Sequence, residues 1–495
     1  MEATARLTAP PRPRSPRPFG LEWVRRYLPH YVTAAPSRLH AELAADLSDL
    51  HVRRGRHVNR IAPRGSAKTT FASKAYPLWC VCEGAEKFVL FLSDGAEQAG
   101  AILDAVKAEL ESNEAIARDY PHAAGPGRVW QTLKAVSRNG VLLLAKGAGG
   151  KLRGVTRAQH RPTLVLLDDC NDDGDAFSET KRRRKLSWLD KGVMPIGGPA
   201  TNFLSVGTAV HREAIPCVLA GRGGWESKSY RSILDWPRRM DLWAEWEKLY
   251  TNLADADRGQ TARRFYAANR GDMDAGASVL WPDRFPLYDL MERRATSGES
   301  AFNSEYQDQP GTEGATEWPP EYFGPDIWCN ALPDRERRKW TVQALDPSKG
   351  TGDKPGDYQA HVCCVLGTDG VLYFDADFRR EDAKRMCERS AELADLWGSN
   401  YLVVEVNAGL GLLEAEFADL IQRGRLPNAQ LKTTTNSDHK SCRIREVGMY
   451  LARRRVRVVN GQGGRELVSQ WQDWPNGRWD DLPDAAGVAV RFLSA

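Results

Sequence analysis

The sequence predicts an α/β protein of two domains. In the N-terminal half, short and almost entirely apolar runs alternate with helical patterns, which is typical of a mostly parallel sheet with helices on both faces. In the C-terminal part, three predicted strands are followed by helices and strands in alternation. The length of 495 residues, at roughly 150 residues for a typical domain, agrees with two or three such units.

The N-terminal domain is predicted to begin with helices and to continue into the sheet. Leu39, Leu43 and Leu47 repeat at i, i+4 spacing and indicate helix within residues 21–50. Residues 1–20 are rich in proline and arginine, and we expect them to form a disordered basic tail. The apolar runs predicted as strands cover residues 88–92, 140–145, 164–167 and 202–206.

The C-terminal elements follow a recognisable order. Residues 341–345, 360–366 and 371–378 are predicted strands, and an Asp-Gly turn at 369–370 joins the last two as a hairpin. Then come a helix over 381–397, a strand over 401–406, a helix over 412–422, a strand over 430–434, a helix over 438–453, a strand over 456–459 and a helix over 484–493. This is the element order of a ribonuclease H-like fold.

The composition excludes several classes of protein. Hydrophobic residues make up 42% and charged residues 27%, proportions of a globular protein with a sizeable core rather than a collagen-like chain. The net charge of +4 is too small over this length to indicate by itself a polyanion-binding protein. The nine cysteines include no CxxC pair, which argues against a zinc site or disulfide framework and favours a reducing cytoplasm. No apolar run approaches the roughly 20 residues of a membrane span, so we expect no membrane partner.

Residues 62–69 have the length and the Lys-Thr ending of a phosphate-binding loop between a strand and a helix, with alanine in place of both usual glycines. Such a loop cradles phosphates with backbone N–H groups; Lys68 would reach the β and γ oxygens of ATP, and Thr69 would hold Mg²⁺. A basic loop that merely begins a helix is the alternative. The predicted nucleotide-binding residues here are Ala62, Pro63, Arg64, Gly65, Ser66, Ala67, Lys68 and Thr69.

An apolar strand that ends in Asp168 and Asp169 supports the nucleotide interpretation. Oxygen ligands for Mg²⁺ and a group that orients the attacking water are needed at such a place. We expect Asp168 to hold Mg²⁺ through water and Asp169 to orient the attacking water. Arg153 precedes this strand and could stabilise charge on the transferred phosphoryl group. The alternatives are a solvated acidic turn and a solvated basic loop.

A second group of acids follows the C-terminal strands. Asp346 closes an apolar segment, and Glu405 lies in an apolar strand where an isolated charge is costly. Two-metal phosphodiester cleavage needs carboxylates around cations roughly 3.5–4 Å apart. We expect Asp346, Glu405 and Asp481 to hold Mg²⁺ or Mn²⁺, with Asp480 or Asp484 contributing. A turn cap at Asp346 and a helix N-cap at Asp484 are the alternatives.

Three local basic clusters are candidates for contacts with DNA phosphates. They would bind phosphates without reading bases. For each, a solvated face is the alternative. The clusters are residues 181–185, residues 453–455 with Arg457, and the helix face of Lys440, Arg443 and Arg445.

The segments APRGSAKTT, LRG with RPTLVLLDD, SVGTAVHRE and DDLPDA resemble the large terminase subunit of tailed phages. That resemblance implies a P-loop NTPase domain that hydrolyses ATP to translocate double-stranded DNA, and a nuclease domain that cuts concatemers. It implies that Gly207 and Thr208 couple hydrolysis to movement. The family usually has Glu where this chain has Asp169.

The resemblance also implies an organisation and a set of partners. The predicted divisions are a tail at 1–20, the ATPase domain at 21–225, a helical subdomain or linker at 226–335 and the nuclease domain at 336–495. The implied partners besides DNA are the portal protein of the procapsid and the small terminase subunit, with a homo-oligomeric ring when docked. The implied location is the cytoplasm of the infected host, outside the mature virion.

Two other functions remain open at the level of sequence. One is a helicase-like or recombination ATPase with an appended nuclease, which would separate strands. The other is an inactive DNA-binding scaffold, suggested by the two alanines in the phosphate-binding loop.

Overall fold

The computed structural model describes residues 17–152, 161–171, 178–310, 317–347, 359–405, 411–426, 428–434 and 440–494. Within these ranges, no helix combines the length and apolar character that crossing a membrane requires. All nine cysteines are free. The chain forms two compact units. Unit 1 comprises Met1–Leu234, Val279–Pro286 and Asn303–Gly311, and unit 2 comprises Asp235–Ser278, Leu287–Phe302 and Thr312–Ala495.

Unit 1 is built on an eight-stranded sheet. Its strands are β1 (His57–Ile61), β2 (Phe88–Ser93), β3 (Val129–Trp130), β4 (Lys134–Val136), β5 (Leu142–Gly147), β6 (Leu164–Asp168), β7 (Asn202–Gly207) and β8 (Trp225–Ser229). Their order is β3-β4-β5-β2-β6-β7-β1-β8. All neighbours are parallel except the pairs β3–β4 and β4–β5. Every residue of β2, β6 and β7 is buried, as expected for central strands of a parallel sheet covered on both faces.

The helices of unit 1 cover this sheet. They are α1 (Leu21–Tyr27), α2 (Arg38–Leu50), α3 (Tyr76–Glu83), α4 (Ala96–Ser112), α5 (Glu114–Asp119), α6 (Glu179–Trp188) and α7 (Ile215–Ala220). Shorter helical segments are Pro29–Tyr31, Thr70–Ala75, Leu189–Val193 and Met194–Ile196. The segment Thr70–Ala75 is a π-helical turn that runs directly into α3.

The N-terminal boundary differs from the prediction. Residues 1–16 lie outside the described residues, but Phe19, predicted to be in the disordered tail, is only 2% exposed. Its ring packs edge-on against Phe71, Tyr76 and Trp79 at centroid distances of 5.2–5.8 Å. The basic composition of the preceding residues is the reason why the sequence pattern did not predict that Phe19 is buried.

Unit 2 is built on a seven-stranded sheet. Its strands are β11 (Trp328–Cys329), β12 (Arg338–Asp346), β13 (Gln359–Gly367), β14 (Leu372–Arg379), β15 (Tyr401–Glu405), β16 (Gln430–Thr434) and β17 (Val456–Val459). Their order is β11-β17-β14-β13-β12-β15-β16. The pairs β12–β13 and β13–β14 are antiparallel and the others are parallel. This arrangement agrees with the predicted ribonuclease H-like element order.

The remaining elements lie mostly in unit 2. The helices are α8 (Met240–Tyr250), α9 (Arg258–Asp274), α10 (Leu287–Ser297), α11 (Glu299–Tyr306), α12 (Ala383–Trp397), α13 (Gly411–Gln422), α14 (Lys440–Ala452), α15 (Gln462–Asp473) and α16 (Asp481–Ser494). Two short strands are β9 (Ile233–Asp235) and β10 (Ser278–Val279), and 3-10 turns cover Pro320–Phe323, Pro325–Ile327 and Arg335–Arg337. The sequence pattern does not predict helix α15.

The segment 226–335 is largely helical but is not a separate body. Strand β8 pairs with β1, so a boundary at residue 225 would fall inside the sheet of unit 1. The helices α8 and α9 belong to unit 2, where Trp243 and Trp246 are each 1% exposed. These residues are therefore divided between the two units.

Phe19→Ala tests the N-terminal anchor. We expect the free energy of unfolding of unit 1 to fall by about 3–5 kcal/mol, because a large aromatic side chain is removed from a closed core. Urea denaturation of the full chain measures this. The control is Val52→Ala, at a position that is 68% exposed. Equal stability of the two variants would show that Phe19 does not belong to the core.

Candidate functional site

The loop of residues 62–69 leaves the end of β1 in a strained conformation. Ala62 N–H donates to Gly207 O at 2.9 Å, which continues the pairing of β1 with β7. Gly65 has φ 75° and Ala67 has φ 59°. The left-handed region suits glycine but costs a residue with a side chain roughly 1–2 kcal/mol. Ala67, which replaces a usual glycine, therefore keeps the backbone conformation that glycine would adopt.

Two contacts that sequence reasoning missed hold this loop. Arg64 donates to both carboxylate oxygens of Glu305 at 2.9 and 3.1 Å, and its backbone N–H donates to Glu305 O. His40 Nε2 lies 3.0 Å from Ser66 O. His40 Nδ1 accepts from Ser37 N–H at 2.9 Å, so Nε2 carries the proton that Ser66 O accepts. Burial lowers the pKa of His40, which favours this neutral form.

Lys68 connects the loop to the ends of β6 and β7. Its Nζ donates to Thr208 Oγ1 at 2.8 Å and lies 3.1 Å from Asp169 Oδ2. Asp169 Oδ1 accepts from Thr208 N–H at 3.0 Å. The predicted residues Lys68, Asp169 and Thr208 are thus brought together.

Gly207 is required by close packing. A Cβ at this position would lie 2.9 Å from Cγ of Pro216 in α7. Packing against Pro216 therefore explains why Gly207 is a glycine. The second residue of the predicted pair, Thr208, contacts Lys68 directly.

Thr69 and Asp168 form a second contact beside it. Thr69 Oγ1 donates to Asp168 Oδ1 at 2.8 Å. Burial, and then the charge of Asp169, raise the pKa of Asp168 to about 6. Asp168 Oδ2 is buried and makes no hydrogen bond with the described residues. A hydroxyl beside a carboxylate oxygen that accepts no hydrogen bond fits a hydrated Mg²⁺ ion.

A polar cleft of about 240 Å³ opens at this place in unit 1. Its lining combines cationic and acidic side chains: Arg64, Lys68, Asp94, Gln98, Asp169, Asn171, Thr208, Val210 and Glu305. The predicted arginine, Arg153, lies outside the described residues. Its role stays a prediction.

In unit 2, strand register brings the first two predicted acids to one edge of the sheet. Leu345 pairs with Val404 across the parallel strands β12 and β15. The next residue of each strand is Asp346 and Glu405, which therefore end neighbouring strands side by side. Helix α16, which begins at Asp481, packs on β12 and β13.

Arg443 of α14 binds two of these acids inside the unit. Its Nε donates to Asp484 Oδ1 at 2.9 Å and its Nη2 to Asp484 Oδ2 at 2.8 Å. Nη2 also lies 3.4 Å from Glu405 Oε2. All three side chains are at least 93% buried. A metal-ligand role for Asp484 would therefore require Arg443 to move.

Lys440, one turn before Arg443, is the second cation among the acids. Its Nζ lies 2.8 Å from Asp480 Oδ1 and 3.6 Å from Asp484 Oδ2. The negative charges of Asp484, Asp346 and Asp480 raise the pKa of Lys440, although burial opposes this. Burial raises the pKa of Asp346 to about 8, with Asp484, Asp481 and Glu405 adding repulsion and Lys440 opposing it.

The acid cluster is thus compensated by Lys440 and Arg443. In the described part of the chain, no three acidic, histidine or cysteine side chains lie close enough together to hold one metal ion. The carboxylates are suitable donors for Mg²⁺ or Mn²⁺, but this arrangement does not fit an ion until side chains move. Metal binding by Asp346, Glu405 and Asp481 stays a prediction.

More residues of the basic clusters form ion pairs with acids of their own unit than we predicted. The prediction of one DNA-contacting face at Lys440, Arg443 and Arg445 is wrong for Arg443, which is buried. Ion pairs within unit 1 join Arg182 to Glu213, Lys185 to Asp94 and Arg183 to Glu179. In unit 2 they join Arg445 to Glu317, Arg453 to Glu247 and Arg454 to Asp326.

Comparisons with known proteins do not identify a family for this chain. No family model and no curated protein matches the sequence. A Thermus thermophilus RuvC structure is 12% identical, covering 30% of this chain and 91% of that chain, with a TM-score of 0.20. T. thermophilus RuvC in complex with Holliday junction substrate is 10% identical, covering 30% of this chain and 90% of that chain, with a TM-score of 0.18. The strand order of unit 2 remains the basis for describing its fold.

Ala67→Gly tests the strain in the loop. We expect stability to be unchanged or to rise by up to about 1 kcal/mol, because glycine relieves the left-handed conformation. Ala108→Gly, on the exposed face of α4, should instead cost about 1 kcal/mol. Thermal unfolding compares the two variants. An equal loss in both would contradict the strained conformation of Ala67.

Arg443→Met tests the buried charge cluster. The substitution removes a buried positive charge from beside Asp484 and Glu405, and Lys440, 3.6 Å from Asp484, replaces it only in part, so unit 2 should lose about 3–5 kcal/mol of stability. The control is Arg423→Met, because Arg423 forms an exposed ion pair with Asp419. We expect no measurable effect there. A similarly small effect at Arg443 would contradict the central role of this cation.

Proposed function

We propose that unit 1 is an ATPase. The observation that carries this proposal is the meeting of Lys68 with Thr208 and Asp169, next to the contact between Thr69 and Asp168. A lysine and a hydroxyl residue from a loop after one strand, opposite two acids at the end of another strand of the same sheet, are the parts that nucleoside triphosphate hydrolysis requires. The cleft of about 240 Å³ beside them gives access.

The residues of this site have distinct roles in the proposal. Lys68 would bind the β and γ phosphate oxygens, and Thr69 with Asp168 would hold Mg²⁺. The metal would neutralise charge on the phosphates. Asp169 would orient the attacking water, since its side chain is 30% exposed whereas Asp168 is buried. Thr208, which contacts both Lys68 and Asp169, would sense which of them is engaged by the nucleotide.

We propose that unit 2 is a metal-dependent nuclease acting on DNA. Its support is the ribonuclease H-like strand order together with five acids near one edge of the sheet. Asp346, Glu405 and Asp481 would hold Mg²⁺ or Mn²⁺, and bound metal would activate water and stabilise the leaving oxygen. Lys440 would shift away from its present position on Asp480 and Asp484, since its charge also acts on Asp346 and would repel a metal ion bound there.

Together the two activities suggest a DNA-packaging enzyme of the large terminase type. Support for this finer proposal comes from the sequence segments around Lys68, Asp168 and Asp484. In that role the enzyme would translocate double-stranded DNA through the portal protein of a procapsid and cut concatemers. A small terminase subunit would be a partner, the docked form would be a homo-oligomeric ring, and the work would take place in the host cytoplasm.

Two single substitutions separate the proposed activities. Lys68→Ala should abolish ATP hydrolysis and leave DNA cleavage intact, because the phosphate contact is lost only in unit 1. Asp346→Ala should abolish cleavage and leave ATP hydrolysis intact. Phosphate release and plasmid nicking in Mg²⁺ measure the two.

Lys87→Ala, at an exposed lysine of unit 1, is the matched control and should retain both activities. Unchanged ATP hydrolysis in Lys68→Ala would refute the ATPase assignment. An unwinding assay on forked DNA distinguishes the packaging proposal, which predicts no strand separation, from a helicase.

A further inference from the structure

Unit 2 contains a cavity of about 600 Å³ that neither proposed active site uses. We call it the Trp479 cavity. Its lining comes from the end of β14 (residues 376–379), the first turn of α15 (Gln462, Gly463 and Glu466) and Trp479. The two walls are in backbone contact, because a Cβ on Gly463 would lie only 1.6 Å from Ala376 O. A volume of this size accommodates a small ligand such as a single nucleotide.

The cavity lies at the same edge of the sheet as the acid cluster. Asp346 pairs with Ala360, and Ala360 pairs with Phe378. Adjacent strands are about 4.8 Å apart, so the backbone of Phe378 is about 10 Å from that of Asp346. Trp479 also directly precedes Asp480 and Asp481 in the chain. A strand of DNA that reaches Asp346 would therefore pass within reach of this cavity.

Trp479 is placed for stacking. Its ring centroid lies 4.9 Å from Cζ of Arg478 and 5.7 Å from Cζ of Arg380. The ring is half-buried. Aromatic rings and guanidinium planes are the surfaces on which proteins stack nucleic-acid bases, and every base has a face that can use them. A base stacked on this ring would therefore lie close to two positive charges.

The charge of the cavity suits a phosphate. Arg379 binds Asp377 Oδ1 through Nε at 2.8 Å, and 54% of its side chain is exposed. Asp377 is additionally paired with Arg389, so its negative charge is compensated. Glu466 accepts from Gln470 Nε2 at 3.1 Å and is the remaining acid of the lining. Arg379 is the cation of the lining, and Arg380 and Arg478 add positive charge beside the Trp479 ring.

We propose that the Trp479 cavity binds one unpaired nucleotide of the DNA substrate, with the base stacked on Trp479 and the phosphate paired with Arg379. This deepens the proposed nuclease function and rests on it. A base within a duplex is stacked on both faces by its neighbours, so only an unpaired or terminal base can occupy the cavity. Unit 2 would therefore prefer DNA with a locally opened strand beside the cut.

Binding in EDTA tests this proposal without any cleavage. Fluorescence anisotropy of the full-length protein compares a labelled oligothymidine strand with a labelled G·C-rich duplex. Trp479→Ala should weaken binding of the single strand by about 5- to 150-fold and leave duplex binding unchanged. Trp479→Phe, which keeps a ring, should stay within about fivefold of the wild type. Trp340→Ala, at an exposed tryptophan near the other end of β12, is the control and should change neither.

A second variant does not depend on the tryptophan. Arg379→Gln should reduce the slope of log K against log salt for the single strand by about 0.7, as expected for one lost phosphate contact. Equal weakening on both DNAs, or unchanged single-strand binding in Trp479→Ala and Arg379→Gln, would overturn the proposal. If the wild type cleaves DNA but its binding does not depend on Trp479, only the proposal for the Trp479 cavity is refuted. If binding depends on Trp479 but the wild type cleaves no DNA, only the nuclease assignment is refuted.

Discussion

Both units depend on the compensation of carboxylates at the ends of parallel strands by a very small number of cations. In unit 1, Lys68 is the cation between Asp169 and Thr208. In unit 2, Arg443 holds Asp484 and Glu405 inside the core. Buried charges are tolerated only when they are paired, so these contacts fix the loops and helices that carry them. The same ion pairs hold in place the acids that the proposed chemistry needs.

The fold could be predicted where the pattern is local. The buried strands β2, β6 and β7 are continuous apolar runs, and the hairpin of β13 and β14 has its Asp-Gly turn, so their positions follow from the sequence. Contacts between residues far apart in the sequence could not be predicted in this way. Glu305 comes back to unit 1 to bind Arg64, 241 residues away, and nothing in its neighbourhood signals that contact. Phe19 was hidden for a different reason, since a basic and proline-rich context suggests a tail.

The residues of the candidate sites could likewise be predicted where the sequence signal is local. Lys68, Thr69, Asp168 and Asp169 were predicted because each stands at the end of a recognisable element. The cations of unit 2 were assigned to a DNA-contacting face, whereas Arg443 lies inside the acid cluster. A signal for this was present: Lys440, Arg443 and Val447 follow i, i+3, i+7 spacing, and Val447 belongs to the buried stripe of α14. A charged residue on a buried stripe should be paired with an internal acid.

An anomalous difference map from crystals of the full-length protein soaked in Mn²⁺ tests the metal site of unit 2. We expect a metal peak within coordination distance of Asp346, Glu405 and Asp481, with Lys440 Nζ displaced from Asp480 and Asp484. We also expect Arg443 to remain on Asp484. A map with saturating Mn²⁺ that shows no peak at Asp346, and Lys440 still bound to Asp480, would contradict the assignment of unit 2 as a metal-dependent nuclease.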